Sequence, residues 1–566
     1  MRRGRAVLAA LLGAALAGGQ ACAQTASFDR FSYAGISPGD RAPIFEKREY
    51  RNPILAGFYP DPSVTRVGED YYLVTSTFGW FPGIPVFHSR DLVHWTQIGN
   101  AIDRPEMLDF KKLGLSRGVF APSIQAKDGI FYILNTCVDC GGNFVITAKD
   151  PAGPWSDPVW LPALEGGIDP SLFFDDDGRS WIVNNGPPVG TPLYEGHRAI
   201  WVQEFDLKAR KTIGPRTLVV NGGVEISKKP VWIEGPHILK KDGFYYLICA
   251  EGGTAEGHSQ VVLRSRSMTG PYEPNPDNPI LTQRDLPRDR PDPITSAGHA
   301  QLVETQNGEW WATFLAVRPY EGDFYNTGRE TFLMPVRWEN GWPRITEPGQ
   351  VIPRIHWLPD LPRGEAPVPT SGAFGVTDEF DGAKLPPYWM MLRNPREHWY
   401  DLADGKLVLR ARPEGLGDNA NPSLLARRVQ HMAAEADTVM RFTPKHAGDL
   451  AGLVALQNDD FWYVFGVTRT NGRIHLTARR RGGPGDPPEG VELPLPDHPI
   501  KPGEAVSLRI ALSGDKVTFL VGAAVGGTGL HAWTPLAMDR SNILSTRAAG
   551  GFVGAMVGVY AHSGAK

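Results

Sequence analysis

The 566-residue chain is poor in cysteine, with four in all, and has no excess of charge of either sign, with 58 Lys and Arg against 62 Asp and Glu. So few cysteines exclude a scaffold built on disulfides. A net charge of −4 offers no basic stripe for a nucleic acid. Long apolar runs are also lacking, and no stretch after the N-terminus is long enough to span a bilayer. The N-terminus itself reads as an export signal. Arg2, Arg3 and Arg5 precede an apolar run over 6–18 and then Ala21-Cys22-Ala23, the charged, apolar and small-residue parts of a leader (1–23) cut before Gln24. Its removal takes three arginines and no carboxylate, moving the net charge from −4 to −7. The expected location is periplasmic or secreted, with no membrane span and no nucleic-acid partner; oligomeric state is not readable.

What is abundant is glycine (64), proline (50) and aromatic side chains (16 Trp, 16 Tyr, 25 Phe). Such a composition favours many short strands joined by tight turns over helices. The length, about four times that of a common single domain, calls for two or more domains. After cleavage Cys137, Cys140 and Cys249 remain. Cys137-x-x-Cys140 lacks the second pair that a zinc site needs. A local disulfide and two buried small hydrophobes both stay open, and neither cysteine is given a function.

Five segments share one shape, an apolar strand, a polar turn and a second strand rich in aromatics. They are 62–77 (PSVTRVGEDYYLVTST), 122–136 (PSIQAKDGIFYILNT), 170–185 (PSLFFDDDGRSWIVNN), 236–251 (PHILKKDGFYYLICAE) and 300–315 (AQLVETQNGEWWATFL). Their starts lie 60, 48, 66 and 64 residues apart, room for one four-stranded blade each. The reading is an all-β protein whose five-bladed propeller occupies 45–352.

Just before the repeats stand Asp61, Ala121, Asp169, Glu234-Gly235 and His299. In a propeller these positions meet at the mouth of the central channel. An Asp before Pro is also an ordinary turn former, so Asp61 and Asp169 taken singly stay open. Glu234 has no such turn role, and its apolar neighbours Trp232-Ile233 would raise its pKa by burial. The run Asp175-Asp176-Asp177-Gly178 reads as a hairpin turn, since no Glu stands where an EF-hand loop needs one. Two carboxyls with separately tuned pKa values suit glycoside hydrolysis, and placement on different blades favours a gap that holds water and hence inversion.

The ordered motifs at 52–63 (NPILAGFYPDPS), 118–124 (GVFAPSI), 167–178 (GIDPSLFFDDDG), 232–247 (WIEGPHILKKDGFYYL), 296–305 (SAGHAQLVET) and 328–331 (GRET) resemble those of glycoside hydrolase family 43, particularly its two-domain β-xylosidases. The resemblance implies an inverting mechanism with Asp61 as general base, Glu234 as general acid and Asp169 orienting Glu234 and tuning its pKa. It makes Arg329 the arginine that contacts the sugar hydroxyls and holds the carboxylates. Phe78, Trp80, Phe120, Thr254 and His299 follow as pocket walls, Phe120 standing where the motif usually has Trp. No cofactor is implied beyond a calcium ion that His299 can ligate in the channel, directly or through water.

A Pro- and Gly-rich stretch at 358–372 lies in an expected linker, 353–374. Residues 375–566 resemble the concanavalin-like β-sandwich of the same xylosidases, with Phe552 a candidate for closing the pocket rim; members of that subgroup add another strand after this motif. The implied activity is release of terminal D-xylose from β-1,4-xylo-oligosaccharides, the partner being such an oligomer or an arabinoxylan fragment. The alternatives are α-L-arabinofuranosidase action and, from another class, a silent carbohydrate-binding propeller.

Overall fold

A computed structural model describes residues 24–41, 44, 48–524 and 531–565. The expected leader, 1–23, and the first residues expected of the propeller, 45–47, lie outside the described residues.

Five antiparallel sheets of four or five strands follow one another over 63–102, 118–160, 168–221, 234–282 and 295–344. They are the five blades, and the recurring Pro-Ser of the first three repeats has a structural reason. The Ser123 hydroxyl donates to the Pro170 carbonyl at 2.8 Å and the Ser171 hydroxyl to the Pro236 carbonyl at 2.6 Å. Ser63 closes the same belt between the first and last blades, donating to Gln301 Oε1 at 2.6 Å while accepting from the Ile124 amide at 3.0 Å. Four of the five junctions between blades are thereby tied by a buried serine whose hydroxyl is satisfied.

The ring is closed by the motif at 52–55. Leu55 and Thr331 exchange backbone hydrogen bonds (3.2 and 3.1 Å), and Asn52 bonds both the amide and the carbonyl of Leu333 at 2.9 Å. The stretch 353–374 is not a free tether. Ile355–Trp357 pairs with Glu49–Arg51, and Thr370 and Ser371 donate to the carbonyls of Ile54 and Pro53 at 2.9 and 2.6 Å.

The C-terminal unit packs an eight-stranded sheet against a six-stranded one. One strand of the larger sheet comes from the opposite end of the chain. Thr25–Ile36, which begins just after the expected cleavage point, pairs with Phe374–Asp378, Lys406–Arg410 and Ala433–Arg441. Its burial alternates, and Ala26, Phe28, Phe31 and Tyr33 are fully buried in a core that also receives Trp389, Leu407 and Leu508. The sequence reading left this segment unassigned. The same apolar cluster continues into the second blade through Val119, Phe131 and Phe144, so the two units share a core. Among the described residues no helix is long and apolar enough to cross a membrane.

Candidate active site

Three inner strands begin with an irregularity in pairing, at Ile168/Ser171, Glu234/His237 and Thr295/Gly298. Bulges of this kind re-aim a side chain at the end of a ladder. Correspondingly, Asp61, Asp169, Gly235 and His299 all have positive φ, between 52° and 56°. This is an uncommon region for residues other than glycine, and it clusters at functional sites. The repeat-equivalent position of the fourth blade is thus held by Gly235, with Glu234 one residue earlier. A β-carbon at Gly235 would lie 2.9 Å from the His299 ring, so glycine leaves room there for the imidazole.

Asp61, Asp169, Glu234, His299, Arg329 and Thr254 border one cavity of about 1100 Å³. Asp61 is buried. Its Oδ2 accepts from the Ser76 hydroxyl at 2.5 Å, its Oδ1 accepts from Arg329 Nη1 at 3.0 Å, and His299 Nδ1 stands 3.8 Å from Oδ1. Burial alone would raise its pKa, but Arg329, His299 and the Ser76 hydrogen bond outweigh burial and hold this carboxyl below the usual carboxylate range. Asp61 is therefore ionised at neutral pH.

Glu234 has the opposite setting. Burial first, and then the charges of Asp169 and Asp61, push its pKa well above the usual value against the opposing pull of Arg329 and Arg198. Asp169 is also raised, chiefly by burial, and its Oδ2 accepts from the Gly235 amide at 3.0 Å, a bond to the residue that follows Glu234. One cavity therefore holds a carboxyl pushed below the usual range and another pushed well above it, the separation that acid–base chemistry uses.

Arg329 Nη1 also donates to Thr254 Oγ1 at 3.1 Å, while its buried Nε has no hydrogen-bond partner among the described residues. The neighbouring Glu330 forms a fully buried bidentate pair with Arg318 and accepts from the Gly57 amide at 2.7 Å, which fixes the strand behind Arg329. The apolar wall is a triangle of rings. Phe78 and Phe552 stack with centroids 5.6 Å apart and an interplanar angle of 23°, and Phe120 meets both edgewise at 5.2 and 5.8 Å. Phe552 belongs to the C-terminal unit, and its amide donates to Ser116 Oγ at 2.9 Å, so the rim is built jointly.

Trp80 is the exception among the expected pocket walls. It is fully buried in the apolar layer between the two units, its backbone paired with Leu392, and it does not border the cavity. Positive φ at Phe78 turns that ring toward the cavity, whereas Trp80 already lies in the strand that joins the sandwich. Around His299 no group of three or more His, Cys, Asp or Glu side chains is disposed to hold a metal, among the described residues. Calcium takes about six to eight oxygen ligands, so these side chains do not fit a calcium held by the protein alone. Cys137 and Cys140 form a disulfide and Cys249 is a buried free thiol.

Sequence reasoning missed Arg198, Trp232, Trp160 and the Cys137–Cys140 turn, all of which border the cavity. Arg198 donates to Asn185 Oδ1 at 2.6 Å and to the Gly166 carbonyl at 2.7 Å and lies over the Trp232 ring at 4.8 Å. The loop residues around it carry no motif; the one available signal is Trp232 itself, beside Glu234.

Glycosyl hydrolases family 43 matches residues 50–343, and the β-xylosidase C-terminal concanavalin A-like domain matches 377–566. A xylosidase/arabinosidase of Butyrivibrio fibrisolvens is 39% identical over 91% of this chain and 96% of its own. A non-reducing-end α-L-arabinofuranosidase of Bacteroides ovatus is 36% identical over 91% and 92%. Among solved structures, a GH43_12 protein from capybara gut metagenome superposes with a TM-score of 0.85 at 37% identity, covering 95% of this chain and all of the other. A xylan β-1,4-xylosidase from Bacillus halodurans gives 0.80 at 35%, covering 91% and 98%.

Proposed function

Since the chain belongs to glycosyl hydrolase family 43, whose members invert anomeric configuration, we propose that it is an exported β-xylosidase removing terminal D-xylose from β-1,4-xylo-oligosaccharides. The observation that carries the assignment of roles is the opposed setting of two carboxyls in one cavity, Asp61 held by Arg329 and Ser76 and Glu234 buried beside carboxylates with its pKa pushed up. Asp61, ionised and held by Arg329 and Ser76, takes a proton from water as that water attacks the anomeric carbon. Glu234, protonated through burial and its carboxylate neighbours, delivers its proton to the departing glycosidic oxygen. Asp169 keeps Glu234 in place through the Gly235 amide and supplies the nearby negative charge that helps Glu234 keep its proton. Arg329 borders the cavity with its Nη1 already anchored on Asp61 and Thr254, which aims the guanidinium at the sugar hydroxyls, and the rings of Phe78, Phe120 and Phe552 cover the C–H face of the sugar and exclude water. Acid–base hydrolysis of this kind asks for no cofactor.

Arabinofuranosidase action is the second reading. It is favoured by the names of the two relatives, one of which covers both activities, and by the similar hydroxyl sets of the two pentoses. Incubation with xylobiose and with arabinosylated xylo-oligosaccharides separates them. Xylose from the former is expected, and arabinose without xylose would overturn the primary reading. NMR of the first-formed sugar is expected to show α-xylose; β-xylose would contradict the assigned roles. Export is tested by the N-terminus of the protein recovered from the periplasm or medium, expected at Gln24.

A further inference from the structure

The cavity is larger than one pentose fills; pockets that enclose a whole drug-sized ligand measure about 300–1,000 Å³, and this one measures about 1100 Å³. The space beyond the carboxyls is bordered on the second blade by a turn between Ile130–Val138 and Gly142–Ala148. The turn is closed by the Cys137–Cys140 disulfide. It is also held by Arg117, which borders the same cavity and whose Nε and Nη2 donate to the two carboxylate oxygens of Asp139 at 2.7 and 3.2 Å.

Against this turn stands Trp160. A β-carbon at Gly141 would lie 2.3 Å from the indole, so the ring rests directly on glycine backbone. Gly141 has φ +125°, a conformation that side-chain-bearing residues avoid. The other restraint is Phe144, edge-on to the indole with centroids 5.5 Å apart. Trp160 is held on two sides and is still 41% exposed. Trp232 also borders the cavity and is 37% exposed, but one face of its ring carries the Arg198 guanidinium at 4.8 Å. A large aromatic left open in a cavity mouth and fixed in orientation is costly to leave in water and useful as a platform for the C–H face of a sugar.

We propose that Trp160, seated on the disulfide-closed turn 137–141, is the platform for sugar units on the leaving-group side of the scissile bond and so sets the preference for oligosaccharides over short glycosides. The disulfide serves as a positioning element, holding Gly141 where the indole rests. This rests on the xylosidase reading above, and the two are separable. The test compares xylotriose with methyl β-D-xyloside, which carries no sugar beyond the scissile bond, in the full-length protein. Trp160→Ala is expected to raise KM for xylotriose about ten-fold with kcat unchanged, equivalent to about 1.4 kcal/mol, and to leave both constants for methyl β-D-xyloside as they were. Trp160→Phe is expected to restore most of the loss. The double variant Cys137→Ser/Cys140→Ser is expected to move KM for xylotriose in the same direction by a smaller factor. An equal loss on both substrates, or no change on xylotriose, would overturn the role of Trp160; an unchanged KM in the double serine variant would overturn that of the disulfide. If the unaltered protein cleaves neither substrate, the xylosidase reading is what fails.

Discussion

Gly328 and Gly554 touch across the boundary between propeller and sandwich: a β-carbon on Gly328 would lie 2.8 Å from the Gly554 Cα. In the other direction, a β-carbon on Gly554 would stand 2.9 Å from both the Phe58 Cβ and the Thr327 carbonyl oxygen. The missing side chains let the loop that carries Phe552 lie against Thr327-Gly328, the residues just before Arg329. As a result the Arg329 guanidinium sits 5.4 Å from the Phe552 ring centroid. A residue of each unit depends on this close approach for its place in the pocket.

Gly554→Ala should therefore damage stability and catalysis together. The added methyl has backbone on one side and the Phe58 stem on the other, and overpacking of this kind costs about 1–3 kcal/mol. A lower Tm and a fall in kcat/KM are expected. A variant with unchanged Tm and unchanged kinetics would show that the contact between the units is looser than described.

The two carboxyl roles predict different substrate dependence. Asp61→Asn removes the group that activates water and should cost about 10²–10⁴ in kcat on every substrate. Glu234→Gln should cost a comparable factor on xylobiose, whose leaving sugar needs a proton, and far less on 2,4-dinitrophenyl β-xyloside, whose leaving group departs without one. Steady-state assays of both variants on both substrates decide the matter. Equal losses for Glu234→Gln on the two would remove it from the acid role.

The pH profile follows from the same electrostatics. Activity requires Asp61 without its proton and Glu234 with one, so the acid limb reports the former and the alkaline limb the latter. Asp169 raises the pKa of Glu234 by its negative charge. Asp169→Asn therefore lowers that pKa, and the alkaline limb of kcat/KM should move to lower pH. Arg329 holds Asp61 low, so Arg329→Met should move the acid limb to higher pH, besides raising KM through loss of the sugar contact. Opposite movement of either limb would reverse the assignment of acid and base.

The carboxyls of the cavity were legible because the propeller repeats its inner strand, which places Asp61, Asp169, Glu234-Gly235 and His299 at corresponding strand starts. The one-residue offset of Glu234 is visible too, since Gly235 stands between it and Pro236, but its reason was not, because it lies in a bulge and in Gly235 making room for His299. Trp80 stands two residues from Phe78 and looks equally suited to a sugar pocket. Its burial is decided by pairing with Leu392, more than three hundred residues away, which leaves no local trace. Phe552 was legible as a candidate through its motif, and the structure brings it to the pocket through Ser116 and the glycine contact. Trp160 and Arg198 lie outside the inner hairpins in which the sequence repeat is visible, and their neighbours in the cavity come from other segments.

The N-terminal strand gives the sharpest test of how the chain is assembled. Thr25–Ile36 carries none of the sequence motifs and has no assignment from them, yet it lies inside the larger sandwich sheet. Phe31 is fully buried and meets Trp389 edgewise at 5.0 Å. Phe31→Ala should cost about 3–5 kcal/mol of unfolding free energy, the range for large-to-small changes in a packed core. Because that core continues into the second blade through Val119 and Phe131, the loss should lower the midpoint of the propeller as well as that of the sandwich, followed by tryptophan fluorescence during urea unfolding. A propeller midpoint left in place would mean that the two units unfold independently despite their shared core. A cost below about 1 kcal/mol, smaller than core truncations give, would mean that the strand is a loosely held edge and that the sandwich can form without it.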